Sequence, residues 1–148
     1  MNDYLSQSKS IREFYHNFPN KEGFFQQINE KETSFSKTHR KVLVEALKEQ
    51  YVGFDASEKT LDHINILSAE NAYTITTGHQ LNLFTGPLYF LYKIISVINL
   101  CEELQDHFST DVFVPVYWMA TEDHDFDEIN YFNFKEPKSF GIDLMVAP

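Results

Sequence analysis

The sequence predicts an α/β fold: a series of N-terminal helices, followed by the first βαβ unit of a parallel sheet that this chain does not complete. Three observations carry that expectation. Apolar residues recur at helical intervals between Ser10 and Ile66. At Ala72 the pattern changes to a short run of β-branched and aromatic residues ended by glycine. A long apolar helix then leads into a second, continuously apolar strand.

The elements follow in order. Ser10 to Phe18 carries Ile11, Phe14 and Tyr15 at helical positions, and Phe24, Phe25 and Ile28 form a second patch from Lys21 onward. Ser36 to Tyr51 is the most regular segment, with Val44, Leu47 and Tyr51 on one face. Its Glu45 and Glu49 are like-charged neighbours, so this helix must rely on packing rather than surface charge. A fourth helix follows Ser57 and runs through Thr60 and Leu61 to Ile66. Asn20, Ser36 and Ser57 each stand where a side-chain oxygen can cap the helix that follows. Residues 1–68 are read as this helical segment, and residues 69–148 as the first part of the core.

Ala72 to Thr77 (AYTITT) predicts a strand stopped by Gly78, and the loop HQLNLFTG follows. Pro87 suits a first helical turn, with Thr85 or Gly86 as cap. The helix from Leu88 to about Gln105 is apolar nearly all round, apart from a stripe at Ser96, Asn99 and Glu103, and such a helix is expected to be buried on more than one side. Val112 to Met119 (VFVPVYWM) has the unbroken apolar character of a strand covered on both faces. Pro115 removes a ladder donor, so the strand is an edge or bulged there. Strand, helix and strand at this spacing make a right-handed crossover unit. A third short strand is expected near Ile129 to Phe134. Two strands and one helix cannot complete a doubly wound sheet. The chain is therefore expected to be the first part of something longer, and only marginally stable alone.

Composition narrows the function classes. Hydrophobic residues make up 43% of the 148, enough for a buried core. A net charge of -10 and a pI near 4.9 argue against a nucleic-acid partner, which calls for a basic face. The single cysteine excludes an internal disulfide and a multi-cysteine zinc site. Cys101, among Ile98, Leu100 and Leu104, reads as a small buried hydrophobe. The start, MNDYLSQSKSIREF, has no signal-peptide character. The stretch from Leu88 to Leu100 is too short and too interrupted to cross a bilayer. The expected location is the cytoplasm, with no membrane partner.

Ligands of open parallel sheets bind beyond the carboxyl ends of the strands. Two polar segments fall there: Thr76-Thr77-Gly78-His79-Gln80-Leu81-Asn82 after the first strand, and Ala120-Thr121-Glu122-Asp123-His124-Asp125 after the second. The helix N-terminus at Thr85 to Pro87 opens at the same end and favours an anion. Gly78 allows close backbone approach. His79 can donate to a phosphate or carboxylate, or move a proton near neutral pH. Asp123, His124 and Asp125 can bind an amine, act as general base or hold a metal. Adjacent loop residues rarely all point at one ion, so no metal is expected. Each segment also has a plainer reading, as a strand-end turn without ligand and as a solvated acidic loop. Tyr117 and Trp118 read as core or pocket wall, and His16, His39, His63 and His107 as surface histidines. The coincidence of a Gly-His turn, a helix N-terminus and an acid/His cluster at one sheet end favours the functional reading.

The stretches TITTGHQLNLFTGPLYFLYKIISVINLCEEL and VFVPVYWMATEDHDFDEIN closely resemble the bacillithiol biosynthesis cysteine-adding enzyme family, through the words TTGHQ, TGPLY, KI and ATEDHDF-EIN. The resemblance covers about residues 74 to 130. It implies a cytoplasmic enzyme that joins cysteine to glucosaminyl-malate. It also implies a Rossmann-like core (HUP/nucleotidyltransferase-like), with a connecting domain and a helical coiled coil beyond this chain, the latter a route to homo-oligomers. The Gly78-His79-Gln80 turn looks like a degenerate form of the HIGH-type motif of such relatives. One histidine stands where they have two, and there is no Walker-type loop, KMSKS-like segment or glycine-rich fingerprint, so ATP or ADP as cofactor stays open. On this resemblance His79, Gln80 and Asn82, with the helix start near Thr85 and Gly86, hold the anionic part of a substrate or nucleotide. Asp123, His124 and Asp125, with Thr121 and Glu122 behind them, bind or deprotonate the attacking amine. A nucleotidyltransferase of the same superfamily and a non-catalytic assembly module are the alternatives.

Overall fold

Single side chains set the helix starts in the N-terminal part of the molecule. The computed structural model describes residues 1–80, 82–122, 127, 131–133 and 139–141. It divides into two compact units, Met1–Tyr73 and Thr74–Pro148. In the first unit α1 spans Asn2–Leu5, α2 Lys21–Ser34, α3 Lys37–Gln50 and α4 Glu58–Ile66. The three longer helices begin at the expected caps. Asn20 accepts from the Gly23 N–H at 2.8 Å, Ser36 from that of His39 at 3.3 Å, and Ser57 from that of Thr60 at 3.2 Å.

The helix expected over Ser10 to Phe18 is instead a short 3-10 turn at Lys9–Phe14, with Tyr15 extended. Two local effects explain this. Pro19 disfavours a helical Phe18 before it, and the Arg12 guanidinium donates to the carbonyls of Tyr15 and His16, stabilising an open chain. Tyr15 and Phe18 gather with Tyr4, Tyr4 and Tyr15 meeting edge-on at 5.2 Å and Tyr4 and Phe18 lying 5.1 Å apart.

α3 packs against α4, with Val44 and Ile64 buried. Arg40, one turn before Val44, is only 4% exposed. Its guanidinium donates to the carbonyls of Ala72 and Glu70, each at 2.8 Å, and more weakly to that of Leu67 at 3.4 Å. One charged side chain on α3 thus satisfies backbone acceptors just past the end of α4. Lys41 meets Glu45 at 3.8 Å on the exposed face, a pair worth little.

The second unit holds the crossover. β1 (Ala72–His79), which begins at the end of the first unit, and β2 (Val112–Met119) form a two-stranded sheet, joined by the 20-residue helix α5 (Leu88–His107). The strands are parallel: the Ala120 N–H donates to the His79 carbonyl at 3.2 Å, so both carboxyl ends lie side by side. α5 packs on β2, and Cys101, Leu104, Phe113 and Val114 are buried. Burial pushes the Cys101 thiol up to about 11, with a smaller contribution from Glu102.

Three local expectations change. Gly78 lies inside β1 rather than ending it, because the close approach to β2 suits a residue without a side chain: a Cβ there would sit 2.9 Å from the Trp118 carbonyl oxygen. Pro87, not Thr85 or Gly86, is the N-cap of α5. The all-round apolar helix is buried on less of its surface than expected, since two strands cover only part of a helix this long. Leu88 is 65% exposed, and Tyr92 and Ile95 are half exposed or more. Pro115 sits within β2, where a two-stranded sheet makes each strand an edge. β3 (Tyr131–Asn133) pairs antiparallel with β4 (Ser139–Gly141) in a separate ribbon, Phe132 opposite Phe140. The rest of the strand expected to Phe134 lies outside the described residues.

Among the described residues no helix is long and apolar enough to cross a membrane.

Candidate functional site at the carboxyl ends of the strands

β1 delivers His79 to the end of the sheet, and the turn after it folds back under a glycine. Gly86 has φ +59 and ψ -151, and a Cβ there would lie 2.5 Å from the Asn82 Cβ, so the turn is built for glycine. Leu83–Thr85 form a 3-10 turn in which Phe84 takes a left-handed conformation, φ 50 and ψ 42. α5 starts two residues after Gly86, with no capping side chain over its first-turn amides.

The turn brings Asn82 back to His79. Asn82 Nδ2 lies 3.0 Å from the Gln80 carbonyl oxygen and 3.0 Å from His79 Nδ1. On the other side of the ring, His79 Nε2 is 2.7 Å from the Tyr89 hydroxyl. The ring also meets Phe90 edge-on at 6.0 Å, and Phe90 in turn meets Tyr117 edge-on at 5.5 Å. Tyr117, from β2, donates to the His79 carbonyl at 2.8 Å, and burial raises its phenol above the usual range. Lys93 donates to the Gly78 carbonyl at 3.2 Å, and its ammonium stands 5.6 Å over the Tyr89 ring. A cation, an imidazole, a phenol and a helix N-terminus therefore share the carboxyl end of β1, a setting suited to an anionic group.

Of the residues expected to form the site, Gly78, His79, Gln80, Asn82 and Gly86 come together in this turn. Gly78 has its packing against Trp118 as a reason of its own, and Gly86 its backbone conformation. Thr121 and Glu122 follow β2 and are exposed, and Glu122 accepts from the Trp118 indole N–H at 3.4 Å. Asp123, His124, Asp125 and the side chain of Thr85 lie outside the described residues. Among the described residues no three His, Cys, Asp or Glu side chains form a set able to hold a metal.

Sequence reasoning missed Tyr89, Lys93 and Tyr117 as partners of the site. A signal for two of them was present: Tyr89 and Lys93 are four residues apart and so share one face of α5, at its first turns. Tyr117 had been read as core or wall, without its tie to the His79 carbonyl.

Comparison with known proteins extends this picture. Residues 1–144 match the family described as bacillithiol biosynthesis BshC, N-terminal Rossmann-like domain. A relative from Flavobacterium psychrophilum, named "Putative cysteine ligase BshC", is 58% identical over 137 residues, which is 92% of this chain and 26% of the relative. One of the same name from Flavobacterium johnsoniae is 57% identical over 136 residues, again 92% and 26%. A more distant one, from Bacillus cereus strain B4264, is 37% identical over 130 residues, 87% of this chain and 23% of the relative. The chain spans about a quarter of the length of the curated relatives it matches.

Proposed function

The chain belongs to the bacillithiol biosynthesis BshC family through that family's N-terminal Rossmann-like domain, and from this premise we propose that it is the first part of a ligase joining cysteine to glucosaminyl-malate. The observation that carries the reading is the family match over residues 1–144. The polar groups at the carboxyl end of β1 support it, because both substrates bring carboxylates that such groups can hold.

The reaction makes one amide bond, between the cysteine carboxyl carbon and the amine of glucosaminyl-malate; a carboxyl C–O bond and an amine N–H bond break, and the net loss is one water. It needs an anionic group held in place, a proton taken from the amine, and an activated carboxyl. His79, Gln80, Asn82 and Lys93, with the start of α5, serve the first need. Asp123, His124 and Asp125, with Thr121 and Glu122 beside them, serve the second. On this reading the enzyme works in the cytoplasm on small molecules and pairs with copies of itself through a coiled coil beyond this chain.

The test uses the full-length protein carrying this sequence, incubated with cysteine and glucosaminyl-malate, with and without ATP, and read by mass spectrometry. Bacillithiol is the expected product, lost in a His79→Ala variant that retains its circular dichroism spectrum. Absence of product from the wild type under both conditions refutes the function. Full activity in the variant refutes the site.

A further inference from the structure

The two faces of the β1–β2 sheet differ, and the difference sets one aromatic side chain apart. Successive residues of a strand point to opposite faces. Tyr117 meets Phe90 and His79 meets Tyr89, so both project toward α5. Trp118, next to last in β2, therefore projects from the other face, where it is 60% exposed. Gly78 stands beside it on β1. A Cβ there would lie 3.1 Å from the Trp118 Cβ and 3.5 Å from its Cδ1, so the glycine keeps the pyrrole edge of the indole clear on that side. The same face of β1 carries Thr74 and Thr76, both exposed. Next to the indole the neighbouring strand thus presents hydroxyls and bare backbone, a setting for a polar ligand rather than for a packed apolar helix. The indole N–H donates to Glu122 Oε1 at 3.4 Å, a weak bond, but one that sets a carboxylate at the rim of the ring.

We propose that Trp118 and Glu122 form the seat for a protonated primary amine of the substrate, the indole face attracting the cation and the carboxylate accepting its hydrogen bonds. The inference rests on the proposed function for its ligand, since cysteine and glucosaminyl-malate each carry a primary amine. A tryptophan face is the best aromatic partner for a cation, and a carboxylate beside it adds a charge-assisted hydrogen bond. The seat also complements the groups on the other side of the sheet. His79, Lys93 and the start of α5 gather on the α5 side and suit an anion, whereas Trp118 and Glu122 stand at the same sheet end on the opposite side. A substrate bearing both an amine and a carboxylate can lie across the strand ends, its carboxylate toward α5 and its amine toward Trp118. Trp118 is on this account a residue that touches substrate, and Glu122 holds the amine that its neighbours deprotonate.

The test uses the full-length protein with Trp118→Leu, Trp118→Phe and Glu122→Gln, in steady-state assays that vary each substrate in turn. Trp118→Leu is expected to raise the KM of one substrate about 5- to 30-fold, the range for a partly desolvated cation on an indole. Trp118→Phe, with the weaker ring, is expected to fall between Trp118→Leu and wild type, and Glu122→Gln to raise the same KM. The KM that moves identifies the source of the amine. An inhibitor with a hydroxyl in place of that amine, either glucosyl-malate or the hydroxy acid corresponding to cysteine, supplies a readout that a structural role would not reproduce. Its inhibition constant is expected to stay within twofold of wild type in all three variants. Equal weakening of substrate and inhibitor makes the indole a plain apolar contact and overturns the inference, as does an unmoved KM in Trp118→Leu; the proposed function stands in both cases. If the Trp118 variants lose their circular dichroism spectrum, Glu122→Gln decides alone, and KM values within twofold of wild type overturn the inference. If the wild type makes no product, the proposed function and the inference fall together.

Discussion

Replacing Arg40 by alanine should cost the fold about 4 kcal/mol. The figure follows from what the guanidinium touches. Its two 2.8 Å bonds, to the carbonyls of Ala72 and Glu70, are donated by a charged group, and each contributes about 1.5–3 kcal/mol. The 3.4 Å approach to Leu67 is too long to add much. The guanidinium also lies 5.3 Å from the centre of the Phe35 ring and 6.0 Å from that of Tyr73, worth on the order of 1 kcal/mol at most. Alanine leaves the carbonyls without their donor and opens space behind them. Set against a typical stability of about 5–15 kcal/mol, the loss is large. Urea unfolding of wild type and variant, followed by circular dichroism, reads it as a lower midpoint at unchanged slope. Arg40→Lys should recover only part of it, since an ammonium is a point donor and cannot span two carbonyls as the planar fork does. A loss below 1 kcal/mol for Arg40→Ala would refute the view that this side chain clamps α3 to the segment after α4.

Gly86→Ala should reduce activity of the full-length protein at least about tenfold with little change in helix content, because the left-handed turn and the Asn82 side chain both exclude a Cβ; wild-type turnover would show that the turn is dispensable. Ser57→Ala should destabilise by about 1 kcal/mol in the same unfolding assay, through loss of the cap on α4, and no measurable change would mean that water replaces it without cost. The hydrogen bond from His16 holds the Glu30 carboxyl below the usual glutamate range. A lowered carboxylate contributes stability above its ordinary titration range and loses it as pH falls through the shifted value. An NMR titration should show the Glu30 midpoint rising in a His16→Ala variant, and an unmoved midpoint would dismiss the pair.

What could be read from the sequence was what is decided locally. The caps Asn20, Ser36 and Ser57 each act on the amide three residues away, so their spacing announces them. β2 was legible to its ends, because a continuous apolar run of this length rich in Val and aromatic residues reads as a covered strand. Gly78 was misread as a stop because its reason is Trp118, on a strand forty residues later. Nothing near Arg40 in the sequence announces its burial, which depends on carbonyls near residue 70. The exposure of α5 depends on how much sheet lies beside it, which the helix's own sequence does not encode. At the site, His79 and Asn82 were visible as a polar turn, but the Tyr89 bond requires the strand end and the helix start to be superposed in space.

Cys101 has a consequence for chemistry in a thiol-rich setting. With a thiol pushed up to about 11 and only 5% exposed, it holds about one part in ten thousand as thiolate at neutral pH. Exchange with small disulfides runs through the thiolate, so this chain's sulfur is a poor partner for mixed disulfides with the very molecules the enzyme is proposed to handle. Swings in the ratio of oxidised to reduced small thiols should therefore leave the covalent state of this domain unchanged.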